Sequence, residues 1–188
     1  MRPRLSQLLL PLLAVGPVAA QASRPPAVPM AEAVRFIEEL DAMRSGLAAG
    51  IGAGTVPDSA TFAQVCRPVG ARARTEGAAR GWQVAQLAER NRNPANALDE
   101  EGKFATRVFE RHPGVLSLWL TSTREGQPGI RYFRRIEVEQ PCLACHGDAA
   151  ARPAFIQQRY PQDRAYGFAV GDLRGVYAVF IPDSAPAR

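Results

Sequence analysis

Histidine and cysteine are scarce in this chain, with two histidines and three cysteines among 188 residues. That scarcity excludes most zinc architectures, because a structural zinc site needs four nitrogen or sulfur ligands. Cys142 and Cys145 form a CxxC pair, but no second CxxC or suitable Cys/His pair exists to complete a site. Long apolar runs are also lacking: beyond the first residues, no segment approaches the ~20 apolar residues of a transmembrane helix. No internal repeat is visible. There is no basic run and no patch of cations interleaved with aromatics. The net charge of +5 and the sequence pI near 9.6 therefore do not indicate a nucleic-acid partner, since the cations are dispersed and almost all arginine.

What is present is an ordinary globular composition. Hydrophobic residues make up 46% of the chain and charged residues 22%, enough for one domain with a packed core. Residues 1–22 read as a secretory signal peptide. Arg2 and Arg4 precede a short apolar stretch from Leu8 to Val15, and Val18-Ala19-Ala20 and Ala20-Gln21-Ala22 both offer cleavage sites. The stretch is too short to span a bilayer comfortably, and an uncleaved membrane anchor is the competing reading. A cleaved leader implies a periplasmic or otherwise extracytoplasmic protein with no stable membrane span. Residues 23–29 form a proline-rich linker, leaving 30–188 as the domain.

Within that domain the apolar spacing is helical first and extended afterwards. From Met30 to Ala49, Phe36, Leu40, Met43 and Leu47 recur at helical intervals, with Pro29 placed to start the helix. Asp58 or Ser59 can cap a second helix, whose stripe of Phe62, Val65, Cys66 and Val69 turns Cys66 inward. Trp82 to Glu89 is a short third element, and Asn91 to Pro94 is turn-like. Asp99 to Arg111 reads as a helix with Phe104, Val108 and Phe109 on one side. Val115 to Thr121 is a short strand, and Gly126, Pro128 and Gly129 signal a turn. In Ile130 to Val138, Ile130, Tyr132, Arg134, Ile136 and Val138 share a strand face that Arg134 interrupts. Tyr166 to Val170 and Val176 to Ile181 read as a hairpin joined by Gly171 to Gly175, the second strand apolar on both faces as in a covered centre. Helices followed by an antiparallel sheet make an α+β domain.

The chemistry concentrates in Cys142-Leu143-Ala144-Cys145-His146. Two thiols separated by two residues can form thioethers to the two vinyl groups on one edge of a haem. The next residue then presents its imidazole to the iron as proximal ligand. Attachment of this kind is made outside the bacterial cytoplasm, which is where the leader directs the chain. The competing readings are a redox disulfide between Cys142 and Cys145, half of a zinc site, and chance.

An iron bound by His146 needs a second axial ligand or an open position. The chain offers Cys66, His112, Met30 and Met43, and among cytochromes Met or His leads. His112 lies in a turn at a helix end, where a solvated histidine is ordinary. Cys66 is the odd cysteine: either a small buried hydrophobe on its helix stripe or an axial thiolate favoured by Arg67. A thiolate stabilises ferric iron and lowers the potential. Arg134, breaking an apolar face shortly before Cys142, is a candidate partner for a haem propionate or an edge arginine reaching water.

The pattern around these residues resembles a family of exported single-haem c-type proteins with a PAS-like fold. The family also occurs as sensor regions of bacterial signalling proteins. The matching pieces are Phe62-Ala63-Gln64-Val65-Cys66, Asn91 to Ala97, Tyr132-Phe133-Arg134-Arg135, Cys142 to Gly147, Tyr160 to Ala165 with Gly167, and Gly171 to Gly175. Together they span nearly the whole chain after the leader. The resemblance implies a central antiparallel sheet flanked by N-terminal helices, with one covalently attached haem c held against it. It further implies that Cys66, from the N-terminal helical region, ligates the iron opposite His146. One departure is Arg135, where the family pattern carries proline.

These readings lead to two functional expectations. The first is a redox or small-gas sensor with a low-potential His/Cys-ligated haem, in which ligand exchange moves the helix carrying Cys66. No kinase or other output region is visible in this sequence, so that reading needs a signalling partner. The second is a periplasmic electron-transfer cytochrome c with its own redox partner. Enzymatic turnover is not expected, because His112 is the only histidine left to act as an acid or base.

Overall fold

The computed structural model describes residues 27–52 and 54–183. The expected leader at 1–22 and the start of the linker, 23–26, lie outside the described residues. Helix α1 spans Ala27–Ala49, α2 Ser59–Ala79, and strand β1 Gln83–Leu87. Helix α3 covers Glu100–Arg111, followed by strands β2 at Ser117–Arg124 and β3 at Gln127–Glu137. Two short helices, α4 at Leu143–His146 and α5 at Ala154–Arg159, precede the last strand, β4, at Leu173–Pro182. No helix among the described residues is long and apolar enough to cross a membrane.

Local chemistry accounts for most of the helix boundaries. Helix α1 begins earlier than Met30, with Pro29 inside its first turn, where the missing N–H has no intrahelical partner to lose. Asp58 caps α2 by accepting from the Thr61 N–H at 2.8 Å, while Thr61 reaches back to the Asp58 backbone. Asp99 caps α3 through the Gly102 N–H at 2.9 Å. Asn93 is extended at φ −106° and ψ 127°, as the following Pro94 demands.

The four strands form one antiparallel sheet in the order β1-β4-β3-β2. A two-residue turn at Glu125 and Gly126, both with positive φ, joins β2 to β3. Pro128 and Gly129 belong to β3 rather than to that turn. Gly129 is required there, because a Cβ would stand 2.3 Å from the Ile181 carbonyl oxygen. One sheet face carries Ile130, Tyr132, Ile136, Tyr177, Val179 and Ile181 against Phe36, Ile37 and Leu40 of α1 and Val69 and Ala73 of α2. The other carries Phe133, Val176 and Ala178 against Ala105 and Phe109 of α3. Strand β4 is central and buried from Val176 through Ile181, as its two apolar faces suggest. The α+β architecture with a central antiparallel sheet and N-terminal helices is the one expected.

Two local expectations are corrected, and the departure at Arg135 finds its structural role. Tyr166 to Val170 is a loop, because two of its backbone groups bond the segment around His146 instead of pairing with β4: Gly167 N–H to the Gly147 carbonyl at 2.6 Å and Phe168 N–H to the His146 carbonyl at 3.1 Å. Phe104 is 45% exposed, since the inner face of α3 is Gly102, Ala105, Thr106 and Phe109. Arg135, in place of proline, keeps the sheet paired: its N–H donates to the Leu116 carbonyl at 3.0 Å, a bond proline lacks.

The two phenylalanines of α3 give the first prediction. Phe109→Ala should cost about 3–5 kcal/mol through the cavity it leaves beneath the sheet. Phe104→Ala should cost about 1 kcal/mol or less. Urea unfolding of the two variants separates them, and equal costs would contradict the assigned buried face.

Candidate functional site

A cleft of about 370 Å³ opens between α2, the segment from Ala88 to Asn96, the start of β4 and the turn leading into α4. Cys66, Cys142, Cys145 and His146 all border it, although Cys66 is 76 positions before Cys142. The short 3-10 turn at Gln140–Cys142 runs directly into α4, so the sequence from Cys142 to His146 is one compact coil. That coil gives both cysteines and the histidine to the same side. The three cysteines are unpaired thiols. Among the described residues no cluster of three or more His, Cys, Asp or Glu is arranged to hold a bare metal ion.

Backbone bonds fix His146. Its Nδ1 lies 2.7 Å from the Ala165 carbonyl oxygen, which can only accept, so Nδ1 carries the proton and Nε2 keeps its lone pair. Arg92 Nη2 stands 3.4 Å from the same ring nitrogen, which as a donor cannot accept from it, and donates to the Cys145 carbonyl at 2.9 Å. Burial, then the charges of Arg174 and Arg92, push the imidazole well below its ordinary pKa and keep it neutral. The Phe168 ring meets it edge-on with centroids 6.1 Å apart. Arg90 stacks on Phe168 at 3.5 Å, and Arg174 lies 5.4 Å from the same ring.

The loop that supplies Ala165 is anchored by a buried carboxylate. Asp163, with a side chain 1% exposed, accepts from the Ala165 N–H at 2.9 Å and pairs with Arg92 at 3.5 Å and Arg152 at 3.2 Å. The Arg164 N–H donates to the Asn91 carbonyl at 3.0 Å, which ties the same loop to the segment carrying Arg92. On the other flank, Arg44 of α1 bonds Asp41 at 2.8 Å and Glu139 at 2.7 Å, and its Nη1 lies 3.8 Å from the Cys142 sulfur. The Ser45 hydroxyl and Arg44 hold the Glu139 carboxyl below its usual range.

Cys66 faces the cleft rather than the apolar core, which corrects its inward placement on the helix stripe. Its sulfur is open to the cleft, yet the surrounding protein excludes enough water to push the thiol up to about 11, with Cys145 adding to the effect. The cations acting in the opposite sense are Arg92 and Arg174, from outside α2. The other candidate ligands lie elsewhere. His112 is exposed at the end of α3, while Met30 and Met43 pack on the core beneath α1.

Arg134 is not brought to the cleft. Its guanidinium is held by Glu38 at 3.1 Å and by Asp41 at 3.0 Å, both on α1, so it bridges β3 to that helix. Arg92, Asp163 and Arg174 are the site residues that the motifs do not point to. All three lie in the short segments that carry the family resemblance, Asn91 to Ala97, Tyr160 to Ala165 and Gly171 to Gly175. That was the available signal, and it marked the segments without assigning the contacts.

A family model described as Tll0287-like matches residues 27–182. Among solved structures, the chain is similar to the crystal structure of the cyanobacterial haem protein Tll0287. The two are 46% identical, with a TM-score of 0.77, over 86% of this chain and 99% of that one. No curated protein matches.

The buried carboxylate is the sensitive point of this arrangement. Asp163→Ala leaves the buried side chain of Arg92 without its carboxylate and should destabilise the domain by about 3–5 kcal/mol. Thermal or urea unfolding measures this, and a loss within the range of a surface substitution would show that Asp163 does not anchor the loop.

Proposed function

The chain belongs to the Tll0287-like family, and on that premise we propose that it is a haem-binding protein whose cleft takes one c-type haem. In this reading Cys142 and Cys145 are the points of covalent attachment, and His146 and Cys66 are the two axial ligands. The observation that carries it is the convergence of Cys66 from α2 and the Cys142–His146 coil on one cleft. The donor set fits the group: a neutral imidazole with its Nε2 lone pair free, two unpaired thiols separated by two residues, and an arginine-rich lining suited to a cofactor with two carboxylates. Bound there, a haem supplies an iron that changes oxidation state and can exchange an axial ligand.

The two proposed ligands are held unequally, and this favours a redox or small-gas sensor over a plain electron carrier. His146 is fixed by its ring bond to Ala165 and by the backbone bonds of Gly147 and Phe168. Cys66 sits two residues before Pro68, in a part of α2 that contributes no buried side chain. The buried residues of that helix are Val69, Ala73 and Gly77, all later. Pro68 also removes a backbone bond from the turn containing Cys66. Loss of the sulfur ligand thus has a lightly packed half-helix to move, while the histidine side stays in place. The proposed setting is extracytoplasmic, with the signal passed to a partner protein and no catalytic turnover.

A pyridine haemochrome spectrum of the protein expressed with attachment machinery should show covalent c-type haem, and its absence would remove the central claim. Cys66→Ala should convert low-spin ferric iron to a form with an open or water-bound position. An unchanged low-spin spectrum would rule Cys66 out. Ferrous wild-type protein should bind CO or NO, whereas fast reversible reduction with no exogenous ligand binding would favour the electron carrier.

A further inference from the structure

We propose that Arg74 binds a carboxylate of the cofactor, with Gly70 leaving the space in which the two meet. The inference rests on the haem reading of the cleft and assigns the role for which Arg134 was a candidate.

The arginines of α2 fall into two groups. Arg72 is ion-paired with Glu39 at 2.8 Å and Glu76 at 2.6 Å. Arg80, at the C-terminal cap, pairs with Glu76 at 3.2 Å and lies over the Phe36 ring. Arg74 borders the cleft and has no ion pair among the described residues. Few anions are available there to satisfy it. Six arginines line the cleft, and Glu137 is the one carboxylate among the lining residues. Glu137 is already paired with Arg135 at 3.0 Å. The cleft therefore gathers more positive charge than its own side chains neutralise, which suits an anionic occupant.

Several observations single out Arg74 from this group. Arg44 and Arg92 have carboxylate partners. Arg174 donates to the Arg90 carbonyl at 3.1 Å, and Arg159 lies over the Phe62 and Tyr160 rings. Arg67 is next to the proposed ligand Cys66. Arg74 stands eight residues beyond Cys66, toward the end of α2 that packs on β1 at Gly77 and Val84. Its side chain folds back along the helix, so that Nη1 lies 3.4 Å from where a Cβ on Gly70 would be. Gly70 is one turn, ~6 Å of helical rise, past Cys66 on the cleft side. Cys142 and Cys145 would hold the vinyl edge of the ring, and its carboxylates lie at the opposite edge. A guanidinium fork over a side-chain-free turn, beyond the sulfur and away from the attachment point, is placed to take one of them in a two-point bond.

The test uses the full, haem-loaded chain with Arg74→Gln, Arg74→Lys and, as a control of equal charge change outside the cleft, Arg72→Gln. Covalent haem is quantified by pyridine haemochrome in each. Arg74→Gln should shift the propionate bending mode in the resonance Raman spectrum and lower the midpoint potential, because an unpaired carboxylate stabilises ferric iron. Arg74→Lys should fall between it and wild type, and Arg72→Gln should leave both readouts in place. A fully loaded Arg74→Gln protein with an unmoved propionate mode overturns this inference alone. A wild-type chain without covalent haem overturns the functional reading and this inference together.

Discussion

The short bond between the His146 ring and the Ala165 carbonyl is the contact on which the geometry of the cleft depends. It sets which ring nitrogen carries the proton and leaves the other with its lone pair, on a residue that borders the cleft. Ala165 can serve this purpose because its own N–H is held by Asp163, whose second oxygen faces Arg152 and whose first is shared with Arg92. Arg92 in turn bonds the carbonyl of Cys145, the residue before the histidine. The loop before β4, the segment before α3 and the α4 coil thus form a closed circuit of polar contacts. Burial of charge makes the circuit costly to open, since each group inside it has lost water that only its partner replaces.

The opposite flank relies on α1. Arg44 and Ser45 hold Glu139, just before the 3-10 turn, while Arg134 ties β3 to Glu38 and Asp41 of the same helix. Helix α1 consequently does two jobs with two faces: Phe36, Ile37 and Leu40 cover the sheet, and its acidic and basic positions steady the approach to Cys142. Helix α2 differs because only its second half is packed into the core. Its first half faces the cleft and is joined to α5 chiefly by the Phe62 ring against Phe155 and Tyr160.

Much of this was legible in the sequence wherever the signal was local. Apolar spacing located α1, α2, α3 and β4, and Asp58, Asp99 and Pro94 marked boundaries through chemistry confined to a few residues. The Cys142–His146 coil was readable for the same reason, being contiguous. Cys66 was reached through the resemblance, since nothing in the spacing of α2 distinguishes a cleft-facing thiol from a core one. Arg134 was misplaced because periodicity reports which strand face a residue occupies but not which carboxylates a neighbouring helix brings over it. Tyr166 to Val170 alternates like a strand, yet the amides of Gly167 and Phe168 are spent on the histidine segment. The contacts of Arg92, Asp163 and Arg174 join residues 71 positions apart for Arg92 and Asp163 and 84 apart for Arg174 and the Arg90 carbonyl, and only the folded chain brings them within reach.

The central position of β4 also orders events in time. Strand β1 pairs with β4 alone within the sheet, and β4 is the last strand among the described residues, with 85 residues between Leu87 and Leu173. The β2–β3 hairpin can close early because its partners are adjacent, but the layer that α1, α2 and α3 cover is incomplete until β4 inserts between distant neighbours. Such pairings have high contact order and are slow, because loop closure is costly before any burial compensates it. The sheet therefore stays incomplete until β4 is delivered, and the cleft, which β4 borders through Arg174 and Gly175, takes shape only at that last step.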